Sequence, residues 1–368
     1  MGELFEVTVN THPETPVFFV VPDMIDVSER VSGGNVYDQR VRDGLRATGW
    51  DVRMVLVPDN GYGQTATALL HLPEDALVLI DGLLAAREPD ALTDNGSRLR
   101  LIVLVHMVAA EISERERRAL RAAHRIIATS DWTRAELIAQ DATDPHRIVV
   151  AHPGTDRAPA TTASDSGGRL LCVATVAPHK GQDVLVRALA GFADRYDWTC
   201  TIVGSLATAP DFVAELTAEI ASAGLTDRVT FTGVLTGRAL QDAYGRADLA
   251  IMPSRGESYG MAVAEALAHG IPILASGVGG ISEAIGGSEA AMIVPPDDPW
   301  ALSVVLRRWW ASPAWRSEAK TAALAARDAV RPWSGTTAIV GSVLAETTGT
   351  LTDDNFTDNA AAGSAPRS

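Results

Sequence analysis

Glu257 and Glu265 stand eight residues apart in the stretch Pro253–Ile285, PSRGESYGMAVAEALAHGIPILASGVGGISEAI. Between them lie Ser258, Tyr259, Gly260 and Met261, at the start of an Ala-, Val- and Leu-rich helical pattern over Met261–His269. The first N–H groups of a helix lack internal partners, and the dipole there favours negative charge. A glycine at that point lets an anion such as phosphate approach the amides closely. Carboxylates on either side accept hydrogen bonds from hydroxyl groups. Glutamates at this spacing also occur on solvated helix faces, but a carboxylate inside a mostly apolar helix is costly without a partner. The combination suits a ligand with an anionic centre and hydroxylated ends, as a sugar nucleotide has.

A second candidate is Lys180, between His179 and Gly181. The chain contains only two lysines, Lys180 and Lys320, and uses arginine almost everywhere else. A compact charge on a flexible stem suits a diphosphate, although an ordinary surface lysine fits the same position. His106 follows the apolar run Leu101–Val105 directly. It reads either as a general base or positioning group or as a satisfied structural histidine.

These residues need a scaffold that brings them together. Apolar, strand-sized runs recur at Val17–Val21, Arg53–Val57, Leu77–Ile80, Leu101–Val105, Arg125–Thr129 and Arg147–Ala151. A second series follows at Leu170–Thr175, Thr199–Val203, Val229–Thr232, Leu249–Met252, Ile273–Ala275 and Met292–Val294. Helical patterns such as Val36–Thr48, Gln182–Leu189, Ala209–Ala223 and Arg238–Arg246 lie between them. Alternation of this kind predicts parallel sheets covered by helices on both faces. The length of 368 residues favours two such domains. The expected division is 1–157, a linker at 158–168 within the small, polar, Pro-containing run Thr155–Gly168, then 169–330. A helix at 331–346 is expected to pack back on the first domain, with a disordered tail at 347–368. Ligands of open parallel sheets bind beyond the carboxyl ends of the strands, where all the singled-out residues fall.

Composition narrows the partners. A formal net charge of −15 argues against nucleic acid. The basic stretch Glu111–Arg125, with five arginines, is the segment that would meet an anionic lipid or phosphate; a solvated mixed-charge helix is the alternative. No apolar run reaches the roughly 18 residues of a membrane span, and no signal peptide opens the chain, so a cytoplasmic protein is expected. Cys172 and Cys200 sit in apolar runs and read as buried thiols.

The donor-binding stretch resembles that of retaining glycosyltransferases of family 4, of the GT-B architecture. Three further segments are similar to that family: VATVAPHKGQDVLVRAL at Val173–Leu189, DRVTFTGVLTGRALQDAYGRAD at Asp227–Asp248, and Ser32-Gly33-Gly34 followed by Gly49-Trp50-Asp51-Val52. The resemblance implies an α/β GT-B fold, two doubly wound Rossmann-like domains facing across a cleft. It implies transfer of a sugar from a nucleotide-diphosphate sugar to an acceptor hydroxyl with retention. Glu265 would bind the ribose and Glu257 the transferred sugar. Ser258 and the amides of Tyr259, Gly260 and Met261 would cradle sugar and diphosphate, and Lys180 would hold the diphosphate. His106 would stand beside the sugar, with Gly33 and Gly34 closing over the phosphates. Asn35, Tyr37, Asp38, Asp81 and Glu111 are the acceptor-side candidates. No cofactor or metal is expected, since a helix terminus with a lysine can replace an ion. One departure matters: Ala174-Thr175 replaces the family's Gly-Arg, so His179, Arg238 or Arg255 would have to compensate. An epimerase of the same fold and an inactive sugar-nucleotide-binding partner subunit are the competing readings.

Overall fold

The computed structural model describes residues 15–27, 32–58 and 61–349. Its described strands form two six-stranded sheets, and every pairing is parallel. The first contains β1 (Val17–Pro22), β2 (Val52–Val57), β3 (Leu77–Asp81), β4 (Arg100–Val105), β5 (Arg125–Ala128) and β6 (Ile148–Val150), in the order β2-β1-β3-β4-β5-β6. The second contains β7 (Arg169–Val173), β8 (Thr199–Val203), β9 (Val229–Gly233), β10 (Leu249–Met252), β11 (Ile273–Ser276) and β12 (Ala291–Val294), in the order β12-β11-β10-β7-β8-β9. The strand runs expected from sequence are these strands, within a residue or two at their ends. They were legible because a central parallel strand is apolar on both faces: β3 is buried at all five positions and β10 at all four.

Each sheet is covered on both faces. In the first lobe Val78, Val103 and Ile126 point into one core, while Leu79, Leu104 and Ile127 point into the other, with Tyr37, Val41 and Leu45 of the Gly33–Ala47 helix. That second core also takes Val340, Val343 and Leu344 from the helix Trp333–Thr348, so the last described helix packs on the first sheet. The segment leading into the second lobe is not free. Thr161 donates its N–H to the His269 carbonyl, and Ser164 is held by Asp248 at 2.5 and 2.6 Å. Cys172 and Cys200 are free buried thiols, and burial pushes the Cys172 thiol up to about 12. No helix among the described residues is long and apolar enough to cross a membrane.

The chain order reverses between β1 and β3 in one sheet and between β7 and β10 in the other. Crevices form at such reversals, beyond the carboxyl ends of the strands.

Candidate active site

Lys180 and Glu257 flank the reversal of the second sheet. Lys180 ends a 3-10 turn at Pro178–Lys180, and Gly181 follows in the left-handed region at φ 67°. A Cβ on Gly181 would lie 2.0 Å from the Pro253 carbonyl oxygen, so only glycine lets this turn pack on the loop after β10. The close approach delivers Lys180 Nζ to 2.6 Å from Glu257 Oε2. Arg255 fastens the same junction from outside. Its N–H donates to the His179 carbonyl, and its guanidinium binds the Pro178 carbonyl, both Asp183 oxygens and Asp297. Arg255 is thus already engaged by Asp183 and Asp297, while Arg238 stands exposed, 3.9 Å from Asp242. His179 is the third candidate, and its pKa is lowered by burial and by Lys180.

Gly260 opens the Met261–Ala268 helix at φ 96°, and no side chain caps that end. Its amides point where an anion would be held. Gly279 and Gly280 pack under the loop: a Cβ on Gly279 would meet the Glu257 carbonyl oxygen at 1.7 Å, and one on Gly280 the Ser258 carbonyl at 2.2 Å. Gly280 N–H also donates to the Glu257 carbonyl. Ser258 and Tyr259 are buried. Glu265 lies one turn into the helix, accepting from the Tyr244 hydroxyl at 2.7 Å. Burial holds its carboxyl above the usual range.

The first lobe supplies a second helix start. Gly33 and Gly34 are the first residues of the Gly33–Ala47 helix, capped by Ser32; they were expected in a loop. The residues preceding Ser32, 28–31, lie outside the described part of the chain. A Cβ on Gly33 would come 3.6 Å from Met261 Sδ, and one on Gly34 would come 3.3 Å from the His106 ring. Two helix N-termini, one from each lobe, thus lie next to each other.

The acceptor-side candidates separate. Asn35 is in the first turn of its helix, with its N–H on Ser32 Oγ. Tyr37 is a core residue whose hydroxyl donates to the Ala151 carbonyl at 2.9 Å, so it is not placed to meet an acceptor. Asp38 is buried and accepts from His106 Nε2 at 2.9 Å. Asp81 caps the Gly82–Arg87 helix through Leu83 N–H, and its other oxygen approaches His106. Glu111 is exposed, outside this cluster. In the stretch after it, Arg115, Arg117 and Arg121 pair with Asp90, Glu114 and Asp141, which is the mixed-charge helix rather than a free basic face.

Several neighbours were not foreseen. Arg40 and Asp156 pair beside Glu265 and act on its carboxyl. Arg331 reaches the Tyr259 hydroxyl at 3.4 Å, and the His152 ring tilts against Tyr259. Glu283, after Gly279-Gly280, receives the N–H groups of Asp131 and Trp132 and pairs with His152 at 2.9 Å, joining the lobes. Only the folded chain makes these residues adjacent; the GGISE run was the one visible signal.

Comparison with known proteins bears on the fold and the family. Residues 167–311 match the family described as glycosyl transferases group 1. A D-inositol 3-phosphate glycosyltransferase of Mycolicibacterium vanbaalenii is 34% identical over 210 residues, 50% of this chain and 46% of that protein. The chain thus spans about half the length of the curated relatives it matches. Among solved structures, sucrose-phosphate synthase from Thermosynechococcus elongatus superimposes with a TM-score of 0.75 at 20% identity, covering 92% of this chain and 100% of that one. Anabaena HepE in complex with UDP and glucose gives 0.71 at 19% identity, with the same coverage. At these identities the structural likeness shows the fold. The chain has the GT-B fold and carries, over residues 167–311, a domain of the glycosyl transferases group 1 family.

Proposed function

We propose that this protein transfers a sugar from a nucleotide-diphosphate sugar to an acceptor hydroxyl with retention of configuration. The observation that carries the reading is the uncapped start of the Met261–Ala268 helix, next to the start of the Gly33–Ala47 helix, with Lys180 and Glu257 on one side and Glu265 on the other. A diphosphate fits the amides and Lys180. Glu265 and Glu257 are acceptors for the hydroxyls at its two ends. UDP and UDP-glucose are bound by a protein of the same fold, which supports a nucleotide-sugar donor.

In the transfer the sugar–phosphate bond breaks as the acceptor oxygen bonds to the same face of the anomeric carbon. The hydroxyl proton passes to the departing phosphate oxygen. Negative charge grows on that oxygen, and preorganised amides and a cation stabilise it. Lys180 starts paired with Glu257, so the arriving diphosphate shares a charge already oriented for it. No cofactor or metal is assigned to this step.

The test is calorimetric titration with a panel of nucleoside diphosphates, followed by mass spectrometry of turnover with each nucleotide sugar. Glu265→Ala should weaken nucleotide binding about 10- to 100-fold, the loss of charge-assisted hydrogen bonds. Lys180→Ala should lower kcat more than it raises KM. Wild-type behaviour in both variants refutes the assignment, and binding without turnover on any acceptor supports an inactive partner subunit instead.

A further inference from the structure

His106, Asp38 and Asp81 form a cluster at the carboxyl edge of the first sheet. His106 follows β4, Asp81 ends β3, and Asp38 stands on the Gly33–Ala47 helix. Asp38 Oδ1 lies 2.9 Å from His106 Nε2, and Asp81 Oδ2 lies 3.9 Å from the same nitrogen. Both aspartates are 1% exposed. Each keeps one buried oxygen, Oδ2, without a hydrogen-bond partner in a fully unprotonated pair. One carboxylate oxygen of each aspartate and a ring nitrogen of His106 all lie within 4.8 Å of one another. The titratable groups facing His106 are these two aspartates and Tyr37, which presents its ring edge at 5.3 Å. Tyr37 adds no charge, because its buried hydroxyl is held far above its usual pKa. Gly34 covers the remaining flank with backbone.

Protons can be counted from this geometry. With none bound, the cluster buries two negative charges and two bare oxygens, which a protein interior does not tolerate. One proton on the ring halves the charge. A second, on the Asp38 carboxyl, makes the cluster neutral.

We propose that the cluster holds two protons at and below neutral pH, one on His106 and one on Asp38, so that His106 meets the donor as a cationic hydrogen-bond donor and not as a base. Asp38 and Asp81 are then positioning residues. The electrostatics point the same way. Burial raises Asp38 to about 7, with His106 opposing and Asp81 adding to the rise. Burial alone would lower His106, but Asp38 and then Asp81 outweigh it and hold the ring up to about 9. The inference rests on the glycosyl-transfer reading for the role of His106; the proton count does not. A protonated ring cannot take the acceptor's proton, which agrees with its passage to the leaving phosphate oxygen.

The test follows the His106 ring proton by NMR, assigned by its loss in His106→Gln. Wild-type His106 should titrate above about 8, and Asp38→Asn should bring it down by about two units. Asp81→Asn should lower it less, from its greater distance. On the active enzyme the alkaline limb of kcat should move to lower pH in Asp38→Asn. A wild-type midpoint below 7, a midpoint unmoved in both variants, or an acid limb tracking His106 overturns the proposal. So does saturable broadening of the His106 signal by micromolar manganese(II), which would make the cluster a metal site. If a variant does not fold, the wild-type titration still decides. Because the NMR arm needs no substrate, a high midpoint without any sugar transfer would leave the cluster standing and refute the transferase reading alone.

Discussion

His106 also carries a consequence for stability. Its folded pKa is raised to about 9 from the ordinary 6.5, and that of Asp38 to about 7 from 3.8. A raised pKa means that the folded state binds the proton more tightly, so the contribution is full below the unfolded value and is lost as pH rises through the folded one. Between about pH 6.5 and 9 the protein should therefore lose stability, by at most about 1.4 kcal/mol per pH unit from this one proton. Melting temperatures across that range should fall in the wild type and flatten in His106→Gln. At this scale the sequence singled out Lys180, by its rarity, and Glu257 and Glu265, by the glycine and the apolar helix that flank them. It did not show that Lys180 would be paired with Glu257, or that Arg255 is consumed by Asp183 and Asp297. Side-chain pairing of that kind is settled by residues 42 to 77 positions away, and no local pattern encodes it.

Among the elements, the five-residue helix Ile281–Ile285 does more than its size suggests. Its Glu283 closes the start of the Asp131–Ala139 helix in the other lobe, satisfying two amides at 2.7 and 2.8 Å, and pairs with His152. Removing an N-cap typically costs about 1 kcal/mol, and here a charged hydrogen bond to His152 is lost as well. Glu283→Ala should lower the urea midpoint and raise hydrogen exchange at Asp131 and Trp132; unchanged exchange there would show that the contact contributes nothing. Strands were the most legible elements because buried parallel strands are continuous apolar runs. The start of the Gly33–Ala47 helix was not, since two glycines read as a loop; Ser32, accepting the Asn35 N–H, caps it as a helix start.

The whole molecule is held by two passages between the lobes. One runs through His152–Thr155, the other through Arg331–Trp333. They touch: Thr155 N–H donates to the Arg331 carbonyl, and a Cβ on Gly154 would meet the Trp333 backbone at 2.3 Å. The returning helix then buries Val340, Val343 and Leu344 against Leu45 and Trp50. Each such side chain contributes about 1.5–3 kcal/mol on burial, so the three together approach the roughly 5–15 kcal/mol total stability of a domain. A chain ended at residue 330 should lose cooperative unfolding of its first lobe and bind a hydrophobic dye; a sharp wild-type transition would show that the helix is dispensable. A helix at 331–346 packing back on the first domain was the expectation from sequence; the approach of Trp333 to Gly154 depends on packing alone.

That returning helix decides how the protein can be recombined. Because the first lobe is completed by residues on both sides of the second, the second is an insertion in space as well as in sequence. Exchanging the second lobe with that of a relative therefore calls for grafting an internal cassette between the two passages and keeping the host's own last helix. A splice that swaps everything after residue 157 would mate a foreign helix with the Leu45 and Trp50 surface, and such hybrids should fail in the half that was left unaltered.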